Sequence, residues 1–322
     1  SSSADYQRKA IGSGPFTVAD FQPGHSLKLA RSDTYHGTKA ASNVVEFMQY
    51  SDADALSKAL TDGSLDMAAP VSASTATGLN GKDGLTVKEG ATTDKVLLAY
   101  NNGTDSLLSD EQARKAFRYQ IDAAGIASAQ PDAAGALGGP ISLLEPGYED
   151  LTGLYPHDEN QAGQMFSYFG AQYLTTVNLV VPEEYRSLAE TIKQQIERQP
   201  RPTVNLEVLS DEDYAKRIKD GKWELTVMSM DGTDDAGIFA DPDSMFHYDH
   251  TEAQQAYADA RAATNDADYE ARMKAYARLI SEDAASDWLY TRKCFTVAST
   301  KVSGYPTSMI NRRMPLAGLT VK

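Results

Sequence analysis

The chain has 322 residues and a mass of 34.9 kDa, which is long enough for two domains. It carries 45 acidic residues against 30 basic ones, a formal net charge of −15, and this argues against nucleic-acid binding, which needs basic patches. No apolar run approaches the ~18 residues that a membrane-spanning helix needs. The single cysteine, Cys294, excludes an intrachain disulfide and a cysteine-based metal site, and it is predicted to be a small buried residue in a strand.

The first hundred residues are predicted to be mostly strand. Alternation of apolar and polar residues predicts a hairpin of Phe16–Phe21 and Ser26–Arg31 around the turn Gln22-Pro-Gly-His25. More elements follow in chain order: a strand over Asn43–Met48, a helix that opens at Ser51-Asp-Ala-Asp and ends at Asp62-Gly63, and a strand over Leu65–Ala69.

The next segment begins with Lys95–Tyr100, a nearly continuous apolar run that predicts a strand buried on both faces. A helix capped by Ser109-Asp-Glu-Gln follows. The stretch Ala123–Pro156, rich in Ala, Gly and Pro, is predicted to be irregular, and a helix over Asp158–Phe169 ends at Gly170.

Strands and helices then alternate with short links. Strands are predicted over Val177–Val181, Val204–Leu209 and Leu225–Met230, with helices over Glu183–Arg198 and from Ser210 to Gly221. This order requires parallel strands with right-handed crossovers, which is half of an open α/β sheet. Two helices near Thr251–Thr264 and Asp266–Asp283 and a strand over Cys294–Ser299 complete the prediction.

Ligands of open parallel sheets bind beyond the carboxyl ends of the strands, where two loops fall. The first is Pro182-Glu183-Glu184-Tyr185, and the second runs from Asp231 through Gly232, Thr233, Asp234 and Asp235 to Asp243. The second loop has five carboxylates in thirteen residues, so it could bind an ammonium group, chelate a hard cation or remain a solvated acidic loop.

Other candidate residues have structural explanations. His247 and His250 would share a helix face and could form a metal pair, but no third ligand is evident. Trp223 and Trp288 flank strands and are predicted to pack in the core. Common catalytic motifs are absent, and the glycine-rich Ile11-Gly-Ser-Gly14 precedes a strand, so it is not a dinucleotide fingerprint. We therefore predict no enzyme activity, no cofactor and no metal.

A colinear series of motifs resembles the peptide/nickel class (family 5) of extracytoplasmic solute-binding proteins of ABC transporters. The matching segments are Ile11–Val18, Phe21–Gly37, Asp52–Met67, Leu97–Asn102, Leu108–Asp122, Asp241–Phe246 and Arg272–Ala284.

The resemblance implies an α/β fold of the two-lobed, periplasmic-binding-protein-like (type II) architecture, with open sheets flanked by helices and a hinge. Lobe I would hold residues 1–100 plus 290–322, and lobe II residues 101–289. The N-terminal part of the family fold is not matched, so the chain is expected to be the C-terminal part of such a protein. The hinge would lie at Tyr100, Asn101, Asn102, Leu289 and Tyr290, because asparagine tolerates the backbone changes of closure.

The implied function is capture of a peptide or similar amine-bearing solute between the lobes and its delivery to membrane permease subunits. The protein would be a monomer outside the cytoplasm, in the periplasm or at the cell surface, anchored to the membrane as a lipoprotein in its full-length form. In peptide-binding members an aspartate before the Asp-Pro pair holds the ligand's ammonium group. Asp231, Asp234 and Asp235 all remain candidates here, because the loop is about four residues longer than the family's usual one. Ser229-Met230 stands where the family often has Gly-Trp, which leaves the ligand class open.

Two alternatives stay open. The first is a nickel or metal-chelate ligand within the same family. The second is a non-transport interaction module.

Overall fold

The computed structural model describes residues 12–169 and 176–322, so the predicted motif residue Ile11 and the predicted helix stop Gly170 lie outside the described residues. The chain forms two compact units, one of residues 12–90 with Cys294–Lys322 and one of Ala91–Lys293. Two long strands, β5 (Leu85–Tyr100) and β10 (Asp287–Ser299), carry the chain from one unit to the other.

The first unit contains the predicted hairpin. Strands β1 (Phe16–Gln22), β2 (Ser26–Arg31) and β3 (Val44–Met48) form an antiparallel sheet in that order, and the turn between β1 and β2 includes Gly24 at φ 73°. The prediction of this hairpin is confirmed.

The rest of the first unit surrounds a small apolar core. Helix α1 (Ala53–Asp62) starts at Asp52, whose side chain accepts from the Ala55 amide, and stops at Gly63 in the left-handed conformation. The core of the first unit consists of Leu60, Val71, Ala76, Leu79, Phe295 and Val297. The remaining elements are β4 (Met67–Val71), which pairs antiparallel with β10, helix α2 (Ala73–Leu79), β11 (Val302–Ser303) and β12 (Thr320–Val321). The sequence did not predict α2, because its Ala, Ser, Thr and Gly residues lack an apolar period.

The second unit is built on a mixed sheet. Strand β7 (Thr176–Pro182) pairs in parallel with β8 (Thr203–Leu209) on one side and β9 (Leu225–Met230) on the other. The predicted parallel β-α-β-α-β unit is therefore confirmed. Its crossover helices are α6 (Arg186–Ile196) and α7 (Asp211–Lys219), and β5 joins β9 in antiparallel orientation.

The stretch predicted to be irregular contains two regular elements, so that prediction is wrong in part. Helix α4 (Ala123–Ala129) is capped by Asp122, and strand β6 (Ala133–Ala136) pairs with β10. Both consist largely of Ala, Gly and Ser, so the sequence shows neither period. The other helices of the unit are α3 (Glu111–Gln120), α5 (Glu159–Tyr168), α8 (Thr251–Arg261) and α9 (Asp266–Glu282), with 3₁₀ turns at Leu107–Ser109, Glu183–Tyr185 and Asp235–Ala240.

The sheet of the second unit is buried on both faces. Along β5, Val96, Leu98 and Tyr100 belong to one core cluster, whereas Leu97 and Ala99 belong to another. This alternation confirms the prediction of a strand covered on both sides. Trp223, Trp288 and Cys294 are buried as predicted. Among the described residues, no helix is both long and apolar enough to cross a membrane.

Candidate functional site

Both predicted loops lie at one edge of the second unit's sheet. Parallel strands β7 and β9 end there at Pro182 and Met230. Strand β5 runs the opposite way and enters the sheet at the same edge, since Lys95 lies opposite Met230 in the register. The sequence order thus brings residues from three separate strands together.

Lys95 is the central residue of this edge, and it is only 1% exposed. Its ammonium group lies 2.8 Å from Glu145 Oε2 and 3.0 Å from Asp235 Oδ1. It also donates to the carbonyl oxygens of Thr93 and Gly232, both at 3.1 Å. A buried ammonium needs such compensation, because removing a charge from water is costly unless it is paired and hydrogen-bonded.

The three candidate aspartates have different environments. Asp231 accepts a hydrogen bond from the Thr93 hydroxyl at 2.8 Å. Asp234 pairs with Arg261 and accepts from the Tyr257 hydroxyl, each at 3.0 Å, and its side chain is well exposed. Asp235 pairs with Lys95 and accepts from the Gly232 amide at 2.8 Å.

Burial raises the pKa of Asp235 to about 6, an effect that the nearby Lys95 ammonium opposes and the Glu145 carboxylate strengthens. Desolvation outweighs the attraction of the single lysine, because that lysine is shared with Glu145. Asp235 therefore changes charge at a pH nearer to neutral than an ordinary aspartate does.

In the Pro182–Tyr185 loop, also a predicted ligand-binding segment, Pro182 and Tyr185 are buried and Glu183 and Glu184 are exposed. Glu183 is exposed but forms a two-pronged ion pair with Arg186, with both contacts at 2.7 Å. Tyr185 is buried and accepts a long hydrogen bond of 3.4 Å from Arg292, whose guanidinium group lies over its ring. Arg292 also pairs with Asp94 and Asp132, so this part of the edge is a charged network anchored on β10.

All five predicted hinge residues lie within the second unit. Tyr100, Leu289 and Tyr290 are in its core. The Asn101 amide donates to the Trp223 carbonyl at 2.9 Å, and that of Asn102 to the Tyr100 and Phe246 carbonyls at 3.0 Å. The chain passes between the units elsewhere, at Gly90–Ala91 and Lys293–Cys294.

The two histidines do not share a helix face, contrary to the expectation for a metal pair. His250 caps the start of α8 and accepts from the Ala253 amide, whereas His247 precedes the helix at φ 48°. Across residues 12–169 and 176–322, no group of three or more His, Cys, Asp or Glu side chains could hold a metal ion.

Sequence reasoning missed Lys95 and Glu145. The signal for Lys95 was its position at the head of an apolar strand, because a charged residue there must find a buried partner. The signal for Glu145 was weaker. Its hydrogen-bond donors, the Ser142 amide and hydroxyl at 2.8 and 2.6 Å, are close to it in the sequence. Its ion-pair partner Lys95 is distant in the sequence, so no local pattern predicts that contact.

Solved structures with the same fold span most of the chain. The ABC transporter substrate-binding protein CtaP from Listeria monocytogenes has a TM-score of 0.85 at 16% identity, covering 99% of this chain and 68% of its own. The periplasmic binding protein DppA from Helicobacter pylori, in complex with the peptide STSA, has a TM-score of 0.77 at 17% identity, covering 97% and 64%. NikA from Brucella suis, in complex with Fe(III)-EDTA, has a TM-score of 0.77 at 16% identity, covering 97% and 68%.

These likenesses confirm the predicted α/β fold of the periplasmic-binding-protein-like type. The chain spans about two thirds of the length of these solved relatives. No curated protein matches the chain. The sequence profile of the bacterial extracellular solute-binding proteins, family 5 (middle part), matches residues 1–257. The chain therefore belongs to family 5 of the bacterial extracellular solute-binding proteins.

Proposed function

We propose that the chain is the non-catalytic, solute-binding component of an ABC importer, that it works outside the cytoplasm, and that its ligand is a peptide or another small solute with a free amine. Family membership supports the binding role. The observation that carries the choice of ligand is the acidic loop Asp231–Asp243 at the carboxyl end of β9. Two relatives of the same fold have peptides bound, the peptide STSA in one and a nonapeptide in the other.

Asp231 is the residue to which we assign the ligand's ammonium group. Asp234 pairs with Arg261 and Asp235 with Lys95. Asp231 accepts a hydrogen bond from the Thr93 hydroxyl, which orients its carboxylate. Asp231 also follows β9 directly, at the end of the strand where open α/β sheets bind ligands.

Capture by closure of two lobes and delivery to permease subunits are part of the same proposal. We place the bending where the chain passes between the units, within β5 and β10, rather than at the predicted Tyr100–Asn102. A bare metal ion as ligand has less support, since the described residues contain no suitable ligand group.

The test is calorimetric titration of the protein with trialanine and with N-acetyl-trialanine. We expect trialanine to bind and Asp231→Asn to weaken it about ten- to a hundred-fold, because a hydrogen bond to a charged group contributes about 1.5–3 kcal/mol. Acetylation should reproduce the loss in the parent protein. Asp234→Asn, in the same loop, is the matched control and should bind trialanine almost as the parent does.

Two results would count against this function. If neither trialanine nor any member of a di- to oligopeptide library binds, the peptide proposal fails and the interaction-module alternative gains weight. If Asp231→Asn binds trialanine as tightly as the parent, the assignment to Asp231 is wrong.

A further inference from the structure

The buried cluster of Lys95, Glu145 and Asp235 connects three separate parts of the second unit. Lys95 belongs to β5, Glu145 to the segment after β6, and Asp235 to the loop that follows β9. The two side-chain contacts of the ammonium group measure 2.8 and 3.0 Å. The side chains are 2%, 3% and 16% exposed, so these contacts are largely shielded from water.

The two carboxylates of the cluster differ in what else holds them. Glu145 accepts from the Ser142 amide and hydroxyl, so its own turn fixes it. Asp235 accepts from the Gly232 amide, a contact within the same loop that does not attach the loop to the sheet. The Lys95 ammonium group contacts both residues of this turn, since it donates to the Gly232 carbonyl and pairs with Asp235.

We propose that Lys95 is the positioning residue of the candidate site: it clamps Gly232 and Asp235 to β5 and thereby fixes the direction of Asp231. The clamp is a property of the fold, whereas its effect on ligand binding rests on the proposed function. Asp231 immediately precedes Gly232, so a shift of the clamped turn moves the carboxylate assigned to the ligand.

Acid should favour the packed position of the loop. The charged groups that face Asp235 are Lys95 from β5 and Glu145 from the segment after β6, one positive charge for two carboxylates. Because burial raises the pKa of Asp235 to about 6, protonation favours the packed loop over an open loop in which water surrounds the carboxyl group. The loop therefore depends most on the Lys95 ammonium group at neutral pH, where Asp235 is ionised, and less at pH 5.

The experiment is hydrogen exchange, measured by mass spectrometry on the full chain without ligand. Lys95→Met removes the ammonium group and keeps an unbranched side chain. At pH 7.5 we expect the amides of Gly232–Ala236 to exchange about tenfold faster or more in this variant, because ionised Asp235 then lacks its partner and a local opening becomes easier. Lys222→Met, which removes an ammonium group from an exposed pair with Asp220, is the control and should leave the loop unchanged.

The pH profile separates clamping from a general structural role. With each pair of proteins compared at one pH, the ratio of loop exchange in Lys95→Met to that in the parent should fall towards one at pH 5, because protonated Asp235 needs no ammonium partner. If Lys95→Met does not fold, Lys95→Gln, which keeps a hydrogen-bond donor but no charge, is compared with the parent in the same way. Unchanged loop exchange in the folded Lys95 variant at pH 7.5, or a ratio that does not depend on pH, would overturn the proposal.

Trialanine titration of the same variants links the clamp to function. Weaker trialanine binding by the folded Lys95 variant than by Lys222→Met supports the positioning role, and equal binding overturns it. If the parent binds no trialanine, the peptide proposal fails, while loop exchange still decides whether Lys95 clamps the loop.

Discussion

Ion pairs of this protein differ widely in what they contribute, because their burial differs. Glu183 and Arg186 form a well-aligned pair, yet both side chains are half-exposed or more. Arg118 and Asp287 lie 3.1 Å apart with side chains 4% and 3% exposed. Arg118 also donates to the carbonyl oxygens of Ser286 and Gly138, so it connects α3 to the start of β10. Exposed pairs contribute little, whereas breaking a buried pair leaves an uncompensated charge.

We expect Arg118→Met to lower the free energy of unfolding by about 3–5 kcal/mol, because it leaves Asp287 buried without its partner. Arg186→Met is the matched control and should change stability little. Urea unfolding followed by circular dichroism measures both. Equal effects of the two substitutions would show that burial does not separate these pairs.

The raised pKa of Asp235, about 6, makes the stability of the protein depend on pH. The folded protein holds the proton more tightly than the unfolded chain, whose aspartate has its ordinary pKa of 3.8. Stability from this group is therefore fully present below pH 4 and is lost as the pH rises to about 6. The parent should lose about 3 kcal/mol relative to Asp235→Asn between pH 4 and pH 7. Urea unfolding at several pH values checks this, and a constant difference between the two proteins contradicts it.

Among the elements, the long strand β5 has a close backbone approach that only glycine permits. A Cβ at Gly90 would lie 1.9 Å from the Thr307 carbonyl oxygen, within the first unit. Gly135, in β6, has open space at the corresponding position. Glycine is therefore required sterically at position 90, whereas at position 135 there is room for a side chain.

We expect Gly90→Ala to destabilise the protein by about 1–3 kcal/mol or more, because backbone atoms must move apart. Gly135→Ala should change stability by less than about 1 kcal/mol in either direction, since no atom opposes the methyl group. Thermal unfolding of both variants is the measurement. A similar loss for both would mean that the approach at Thr307 relaxes easily.

A ligand that binds only the folded chain must stabilise it. A ligand at about 1,000 times its dissociation constant adds about 4 kcal/mol. This link gives a test that separates the peptide proposal from the metal-chelate alternative, in which His247 or His250 would take part.

Trialanine should therefore raise the unfolding temperature of the parent, and nickel with excess histidine should not. The double variant His247→Ala with His250→Ala should show the same rise in unfolding temperature with trialanine. The rise is measured against the unliganded double variant, because loss of the His250 cap lowers its own unfolding temperature. A rise with nickel that disappears in the double variant would favour the metal-chelate ligand instead.

The sequence alone predicted the elements whose residues carry a period or a cap. The hairpin of β1 and β2, the alternation from β7 to β9 and the stop of α1 at Gly63 all follow from local rules. Helices α2 and α4 and strand β6 escaped, because small residues carry no hydrophobic period and only contacts made after folding reveal them.

For the candidate site, the sequence alone determined where to look. Strand direction puts the loops after β7 and β9 at one edge of a sheet, so Asp231, Asp234 and Asp235 could be named as one group. The sequence could not show which of the three binds a ligand, because the partners Lys95 and Arg261 are distant along the chain and contact this loop only after folding. Burial then distinguishes the two aspartates: the tertiary structure shields the Lys95–Asp235 pair from water, which raises the pKa of Asp235, and it leaves Asp234 at the surface. No local pattern of residues predicts that difference, because burial depends on segments that are distant in the sequence.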